Sequence, residues 1–344
     1  MEIEQHIWGV TSEGEAVVLY TMRSAAGAEV RLCNIGASVV SVRVPDRDGR
    51  LADVALGYRD FADYFGDPCS CGKIIGRTTG CISYGRMTID AEEFRLDCNA
   101  MAGHCDGGAK GFANRLWECR VETDRVVMSL LSEEGDQGYP GTLRTEVAFD
   151  FDEEHALEIT YAAQADRKTP VDLSHRIFWN LGGETGGSVL GHELRLEAAR
   201  LVECDERTIP TGRLLDGADR FAAWHPLAEE TTPEALMRLR GDETFALTQW
   251  RRNILARVGE LRDPKSGRRL ELLSSQPCVT LCRGGRLGGG SPVGKSGARY
   301  ADFDGAALVC SGYPDAVNRP EFPSSLLEAG AIYRQKTVYR FGTF

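Results

Sequence analysis

Hydrophobic and polar residues alternate with a period of two along much of this chain, in short runs rich in β-branched and aromatic residues. The clearest runs are residues 29–34, 38–44, 125–131, 157–162 and 193–197. A period of two places successive side chains on opposite faces of an extended strand. The pattern therefore predicts strands that pack on one face and are wetter on the other.

Clusters of Gly, Pro, Asp and Asn separate these runs, as expected of turns between strands. Helical periodicity is scarce, and only residues 231–240 predict a short helix, with Thr232 as its N-cap and Pro233 in its first turn. No internal repeat or linker divides the sequence. We therefore expect one all-β domain over residues 1–344, built as a large antiparallel sandwich.

The composition fits a soluble folded protein, since 42% of the 344 residues are hydrophobic and 26% are charged. The net charge of -11 disfavours nucleic acid and anionic membrane surfaces as partners, because an acidic chain repels phosphate groups. No apolar stretch is long enough to span a membrane, and the N-terminus has no signal-peptide pattern. These features predict a cytoplasmic protein that binds neither nucleic acid nor a membrane surface.

The chain contains 11 cysteines, an odd number, and several lie in strand-like runs. Their scatter predicts reduced thiols rather than a disulfide framework. No zinc-type spacing occurs, so we expect no structural metal site. Residues 289–296 match the phosphate-loop pattern G-x4-G-K-S, but residues 297–305 lack the helical periodicity that this motif requires. We therefore do not expect this segment to bind a nucleotide.

Several segments carry a resemblance to a known family. The most informative is LVCSGYPDAVN at residues 308–318, and residues 36–46, 53–58, 170–181 and 209–212 agree in the same order. Together they resemble the aldose 1-epimerase (galactose mutarotase) family. The resemblance implies a β-supersandwich with few short helices. It also implies an isomerase that opens and recloses the cyclic hemiacetal of a hexose such as galactose or glucose.

The resemblance further implies roles for individual residues. In that family a His donates a proton to the ring oxygen and a Glu takes the proton from the C1 hydroxyl. The resemblance assigns the acid to His175, and it assigns to Asp242 the role of holding sugar hydroxyls. The position of the Glu, five residues before Pro314, is Val309 here. A valine cannot accept a proton, so the family's usual base is missing.

Two assisting positions of the family also differ. Its Arg is matched by Cys81, although the neighbouring Arg77 is retained, and its second His is matched by Asp106. Asp106 is the candidate replacement base, because it stands where an imidazole reaches the sugar. A thiolate of Cys81 or Cys310 is the other candidate, and it would need a cationic neighbour such as Arg77 or Arg176.

The predicted site thus has His175 and Asp106 as catalytic candidates. Thr280 and Cys282 stand where the family has a Gln and a Tyr, so the wall of the site is less polar than that of a hexose site. The residues predicted to contact the substrate are Asp242, Arg77, His104, Cys81, Val309 and Cys310.

Three functions remain open on the sequence. The first is an aldose 1-epimerase-like isomerase that is cofactor-free and either monomeric or homodimeric. The second is an isomerase or cyclase redirected to a non-sugar lactol or carbonyl compound, which the less polar wall favours. The third is a catalytically inactive carbohydrate-binding protein, which the loss of the Glu favours.

Overall fold

The computed structural model describes residues 1–101 and 103–344, and antiparallel β-structure dominates them. Every strand pairing among these residues is antiparallel. The predicted all-β, antiparallel class is confirmed. None of the helices in the described part of the chain is long and apolar enough to cross a membrane.

Three large sheets form the body of the protein. The first has five strands in the order Glu2–Val10, Ala16–Arg23, Glu29–Cys33, Ser38–Pro45 and Leu51–Asp53. The second has nine strands in the order Glu118–Val121, Arg125–Ser132, Leu143–Phe151, Ala156–Ala165, Ile332–Thr343, Arg268–Ser274, Ala256–Arg262, Glu193–Leu196 and His225–Pro226. The third has six strands in the order Phe178–Trp179, Ala306–Ser311, Cys278–Cys282, Glu243–Leu247, Ala198–Cys204 and Pro210–Asp216.

Four strand pairs complete the β-structure. They are Cys81–Ser83 with Gly103–Cys105, Thr169–Pro170 with Leu326–Leu327, Lys73–Ile75 with Ser174–Arg176, and Arg86–Ile89 with Glu92–Arg95. Short 3₁₀ turns cover Phe61–Tyr64, Phe112–Asn114, Asp136–Gly138 and Ala218–Phe221.

The predicted helix is present as Pro233–Leu239. Its first turn is capped as expected, because the backbone N–H of Ala235 donates to the Thr232 hydroxyl at 3.3 Å. Pro233 occupies a first-turn position, where its missing N–H removes no helical hydrogen bond.

The main core lies where inner faces of all three sheets meet. The strand Leu143–Phe151 shows the period of two clearly, because its residues alternate between buried and more exposed positions along its length. Leu143, Val147 and Phe149 contribute its buried face. Burying each such side chain stabilises the fold by about 1.5–3 kcal/mol. The alternation of apolar and polar residues along this strand therefore matches its alternation between core and more exposed positions.

The segment with the phosphate-loop pattern is held by ordinary tertiary contacts. The Lys295 ammonium donates to the Asp53 carboxylate at 2.6 Å and to the carbonyls of Val40 and Ala55 at 2.8 Å. The residues after it form turns rather than a helix. Lys295 thus anchors a surface loop to the five-stranded sheet.

Candidate active site

The strand Ser174–Arg176 determines which side chains enter the site, because its neighbouring residues point to opposite faces. Phe178 pairs with Ala307, and continuing this register by two residues puts Arg176 level with Val309. Val309 in turn pairs with Thr280. Arg176, and not His175, therefore lies on the face where the resemblance places the family's Glu.

His175 points into the main core. Its Nε2 lies 2.9 Å from the carbonyl oxygen of Ala37, and its Nδ1 lies 2.9 Å from the hydroxyl of Tyr161. Because a carbonyl only accepts, Nε2 carries the proton and Nδ1 accepts from Tyr161. Burial lowers the pKa of His175 to about 4, and the side chain is 1% exposed. The prediction that His175 faces the substrate as an acid is therefore wrong.

Arg176 occupies the position that His175 was predicted to take. Its guanidinium donates to the Asp106 carboxylate at 2.8 Å, and both side chains keep some exposure, 18% and 27% respectively. Burial opposes the charged form, but Asp106 and Asp242 outweigh it and raise the pKa of Arg176. Arg176 is thus a permanent cation that donates hydrogen bonds and does not release a proton.

Asp106 is held in place by its backbone surroundings. Its other carboxylate oxygen accepts from the Gly80 N–H at 3.0 Å, and its own N–H donates to the Gly80 carbonyl at 2.9 Å. Its φ of 52° lies in the left-handed region, which Asp tolerates better than most residues do. The candidate base is therefore fixed beside Arg176 while still partly exposed.

Asp242 lies at the mouth of the same site. It directly precedes the strand Glu243–Leu247 and is exposed. The Cys282 side chain is half-buried and its thiol lies next to Asp242. Partial burial and the neighbouring carboxylate both raise the pKa of the thiol. On the same strand pair the Thr244 and Thr280 hydroxyls are 2.8 Å apart. These side chains form the wall that the sequence predicted to be less polar than a hexose site.

Val309 and Cys310 point to opposite faces of one strand. Val309 lies on the Arg176 side but is 2% exposed, within an apolar cluster that includes Phe178 and Ala307. Cys310 belongs to the main core, where burial raises the pKa of its thiol to about 12. The prediction that Cys310 contacts the substrate or acts as a thiolate is wrong, because it faces away from the site.

Arg77 is a structural residue. All its guanidinium nitrogens donate to the protein interior, namely to the carbonyls of Ser132, Glu133, Pro140 and Gly141 and to the Ser132 hydroxyl, at 2.8–3.1 Å. The side chain is buried. No donor is left for a substrate, so its predicted binding role is wrong.

His104 is also turned away from the site. It is fully buried, its Nδ1 lies 2.7 Å from the Asp97 carbonyl oxygen, and its ring meets that of Tyr139 edge-on at 5.0 Å between centroids. The predicted substrate contact is wrong, because the ring packs between the Asp97 loop and Tyr139.

Cys81 forms a disulfide with Cys105, its direct partner on the neighbouring strand. The expectation that the cysteines are all reduced is therefore corrected at this pair, whereas the other nine are free thiols. A disulfide sulfur is not a thiolate, so Cys81 is excluded as a base. The disulfide flanks the candidate base, because Cys105 precedes Asp106 and Cys81 follows its hydrogen-bond partner Gly80.

Reduction of this disulfide is expected to destabilise the protein. The two cysteines are 24 residues apart in sequence, and a cross-link over such a loop stabilises a fold by about 3 kcal/mol. Urea unfolding should show a lower midpoint in dithiothreitol for the parent protein. The double variant Cys81→Ser/Cys105→Ser should have that lower midpoint already and be insensitive to dithiothreitol. Equal midpoints for the parent with and without reductant would contradict the cross-link.

The site therefore brings together Asp106, Arg176, Asp242 and Cys282, with Val309 beneath them. Sequence reasoning named Asp106 and Asp242 as site residues but gave Arg176 only a supporting role. The strand register identifies Arg176 as a site residue, because it places Arg176 opposite Val309 on the neighbouring strand. Among the described residues, no group of three or more His, Cys, Asp or Glu side chains is placed to hold a metal ion.

Comparison with known proteins identifies the family of this chain. The aldose 1-epimerase family model matches residues 18–340. The chain is 33% identical to the galactose mutarotase of Bos taurus, covering 91% of this chain and 90% of the relative. It is 30% identical to the aldose 1-epimerase of Escherichia coli, covering 96% of both. A solved GalM/aldose epimerase homologue from C. elegans superimposes with a TM-score of 0.85 at 26% identity, covering 94% of this chain and 98% of that one. This protein belongs to the aldose 1-epimerase family.

Proposed function

We propose that this protein is a sugar isomerase that opens and recloses a hexose hemiacetal with Asp106 as its base and Arg176 as its electrophilic group. One observation carries the proposal: the partly exposed Asp106 carboxylate and the permanently charged Arg176 guanidinium are 2.8 Å apart. The strand register places Arg176 on the same face as Val309, where the resemblance places the family's Glu. Family membership makes a hexose such as galactose or glucose the substrate to test first.

Asp242 and the Asp106–Arg176 pair supply complementary groups for sugar hydroxyls. Carboxylate oxygens accept hydrogen bonds, whereas the guanidinium offers a planar set of donors. Because a sugar hydroxyl both donates and accepts, it can bridge such a pair. Asp242 at the exposed edge would hold hydroxyls of the sugar ring.

The chemistry needs one proton moved from the C1 hydroxyl to the ring oxygen. Asp106 would take the proton from O1 as the bond between C1 and the ring oxygen breaks. Arg176 would stabilise the negative charge that develops on the ring oxygen, and a water molecule would donate a proton to that oxygen while it takes the proton held by Asp106. After rotation about the C1–C2 bond, the reverse steps close the ring on the other face. Donors aimed at a developing oxyanion are worth about 10²–10³ in rate.

The test is the mutarotation of freshly dissolved α-D-galactose and α-D-glucose, followed by polarimetry. The first-order rate constant is expected to exceed the buffer rate and to rise linearly with protein concentration for at least one sugar. Folded protein that leaves both rates at the buffer value at every concentration would refute the proposal.

A second candidate, sugar binding without catalysis, is favoured by Val309, which supplies no proton acceptor and lies in an apolar cluster. It would give saturable heat of galactose binding in titration calorimetry with no acceleration of mutarotation. Asp242→Asn should weaken that binding, because one of the two carboxylate oxygens that accept from sugar hydroxyls is replaced by an NH₂ donor and the negative charge is lost.

A further inference from the structure

A second concave site has a lining that does not include the Asp106–Arg176 pair. It has a volume of about 140 Å³ and is bounded by the segments 250–253, 323–327 and 332–335. Asp172, Gln276 and Gly312 form its polar side, and Trp250 and Tyr333 also line it. None of Asp106, Arg176 or Asp242 belongs to this lining. A cavity of about 150 Å³ holds a benzene-sized molecule, so this one suits a ligand of roughly six heavy atoms.

Asp172 is the most informative group in this cavity. Its side chain is 5% exposed, and its Oδ1 accepts from the Gly312 N–H at 2.8 Å and from the Gln276 amide at 3.0 Å. Among the described residues, no group donates to its Oδ2. An acceptor held this firmly and otherwise surrounded by protein has one oxygen left for a ligand.

Gly312 permits this arrangement. A Cβ at this position would stand 3.2 Å from the carboxyl carbon of Asp172, so the backbone lies flat against the carboxyl group. Only a glycine allows so close an approach without a shift of the neighbour. The acceptor is thus preorganised by the backbone after the strand Ala306–Ser311.

Tyr333 provides the complementary donor. Its hydroxyl oxygen accepts from the Leu173 N–H at 3.0 Å and from the Gln276 amide at 3.1 Å. Within the described residues, nothing accepts the Tyr333 hydroxyl proton, which is therefore available to a ligand. The Gln276 side chain bridges Tyr333 and Asp172 and fixes the spacing of donor and acceptor.

Trp250 supplies an apolar wall with a fixed orientation. Its indole N–H donates to the Ser275 carbonyl at 2.8 Å, which leaves the ring to the cavity. Aromatic faces pack well against the C–H groups of polyols, while a polar group elsewhere sets the orientation. The cavity therefore offers one acceptor, one donor and one aromatic wall.

We propose that this cavity binds the vicinal diol of a small neutral polyol. With the Asp172 carboxyl ionised, one hydroxyl donates to its Oδ2, the neighbouring hydroxyl accepts from Tyr333, and the carbon chain packs on Trp250. The same diol chemistry occurs in a free polyol such as glycerol and in the exposed edge of a hexose. The proposal does not depend on the proposed isomerase function, because the two sites share no lining residue.

The test follows the Trp250 indole N–H signal by NMR in ¹⁵N-labelled protein during titration with glycerol, D-galactose and 1-propanol. The titration is done at pH 8, where Asp172 is ionised because its pKa is about 7. The signal is assigned by its loss in Trp250→Phe, and Trp224→Phe serves as the matched control. Glycerol is expected to saturate the shift with a Kd of about millimolar, as befits a ligand of roughly six heavy atoms. Saturation by galactose alone would make a sugar edge the ligand, and saturation by glycerol alone would make it a free polyol.

Two variants test the contacts. Asp172→Asn and Tyr333→Phe are each expected to raise the Kd about tenfold, the effect of losing one hydrogen bond to a buried group. Thermal unfolding of each variant at the same pH establishes that it is folded. A glycerol shift no larger than that of 1-propanol, or equal affinity in the parent and both folded variants, would overturn the proposal. Because the readout is binding at Trp250, a failed polarimetry assay leaves this result unaffected.

Discussion

Arg176→Met and Asp106→Asn are each expected to lower the mutarotation rate constant by about 10²–10⁴ relative to the parent protein. Asp106→Asn removes the proton acceptor yet keeps an oxygen for the Gly80 N–H, and loss of a general base costs about 10²–10⁴ in rate. Arg176→Met removes the cation that would face the developing oxyanion. Polarimetry of each purified variant at equal concentration measures the effect.

The double variant sharpens this prediction. Residues that act as a unit show strongly non-additive effects. Because Asp106 and Arg176 contact each other at 2.8 Å, the double variant should be little slower than the slower single variant. Multiplicative effects would mean that the two side chains act independently.

His175→Gln is the matched control, since His175 is the immediate neighbour of Arg176 but faces the core. We expect its rate constant to stay within about threefold of the parent, while its free energy of unfolding falls by about 2–3 kcal/mol, because both ring hydrogen bonds are disturbed in a buried place. An inactive but folded His175→Gln, together with an active Arg176→Met, would refute the assignment of the site.

The stability of Asp172→Asn relative to the parent protein is expected to rise by about 2–3 kcal/mol between pH 5 and pH 8. Burial raises the pKa of Asp172 to about 7 from the ordinary 3.8, against the lowering effect of its hydrogen bonds from Gly312 and Gln276. Between these two pKa values the folded state holds a proton that the unfolded state has released. The parent therefore loses stability as the pH rises through this window, and the loss levels off above about pH 7. An asparagine does not titrate, so the variant does not lose this part of its free energy of unfolding as the pH rises.

Urea unfolding of both proteins at several pH values isolates the effect of Asp172. His175 and His192 act in the opposite direction, because burial lowers the pKa of each to about 4 and the unfolded state then binds more protons. Their contributions increase stability as the pH rises through about 4–6.5. Both contributions cancel in the difference between the variant and the parent. A difference that stays constant from pH 5 to pH 8 would contradict a buried, protonated Asp172.

Much of the architecture was predictable because it depends on local sequence. Period-two alternation identified strands such as Glu29–Cys33 and Ala156–Ala165 with small errors at their ends. The cap at Thr232 and the first-turn Pro233 identified the one predicted helix. Both patterns reflect interactions between residues close in sequence, so they need no knowledge of the tertiary fold.

Individual site residues were harder to predict, because their partners are distant in sequence. Arg77 is held by carbonyls 55 to 64 residues away, and Cys81 reaches Cys105 only because their strands are adjacent. A sequence shows that an arginine or a cysteine is present. It does not show that its donors or its sulfur are already engaged.

The sequence by itself determined that this chain is an antiparallel β-protein of the aldose 1-epimerase family, and it predicts that Val309 takes the position of the family's Glu. Only the tertiary structure decided that Arg176 faces the site and that His175 faces the core. In a strand the side-chain period is two, so a shift of one residue exchanges the two faces. The register with Ala307 and the hydrogen bonds of His175 to Ala37 and Tyr161 select between these arrangements. Those contacts arise only when the sheets pack against each other.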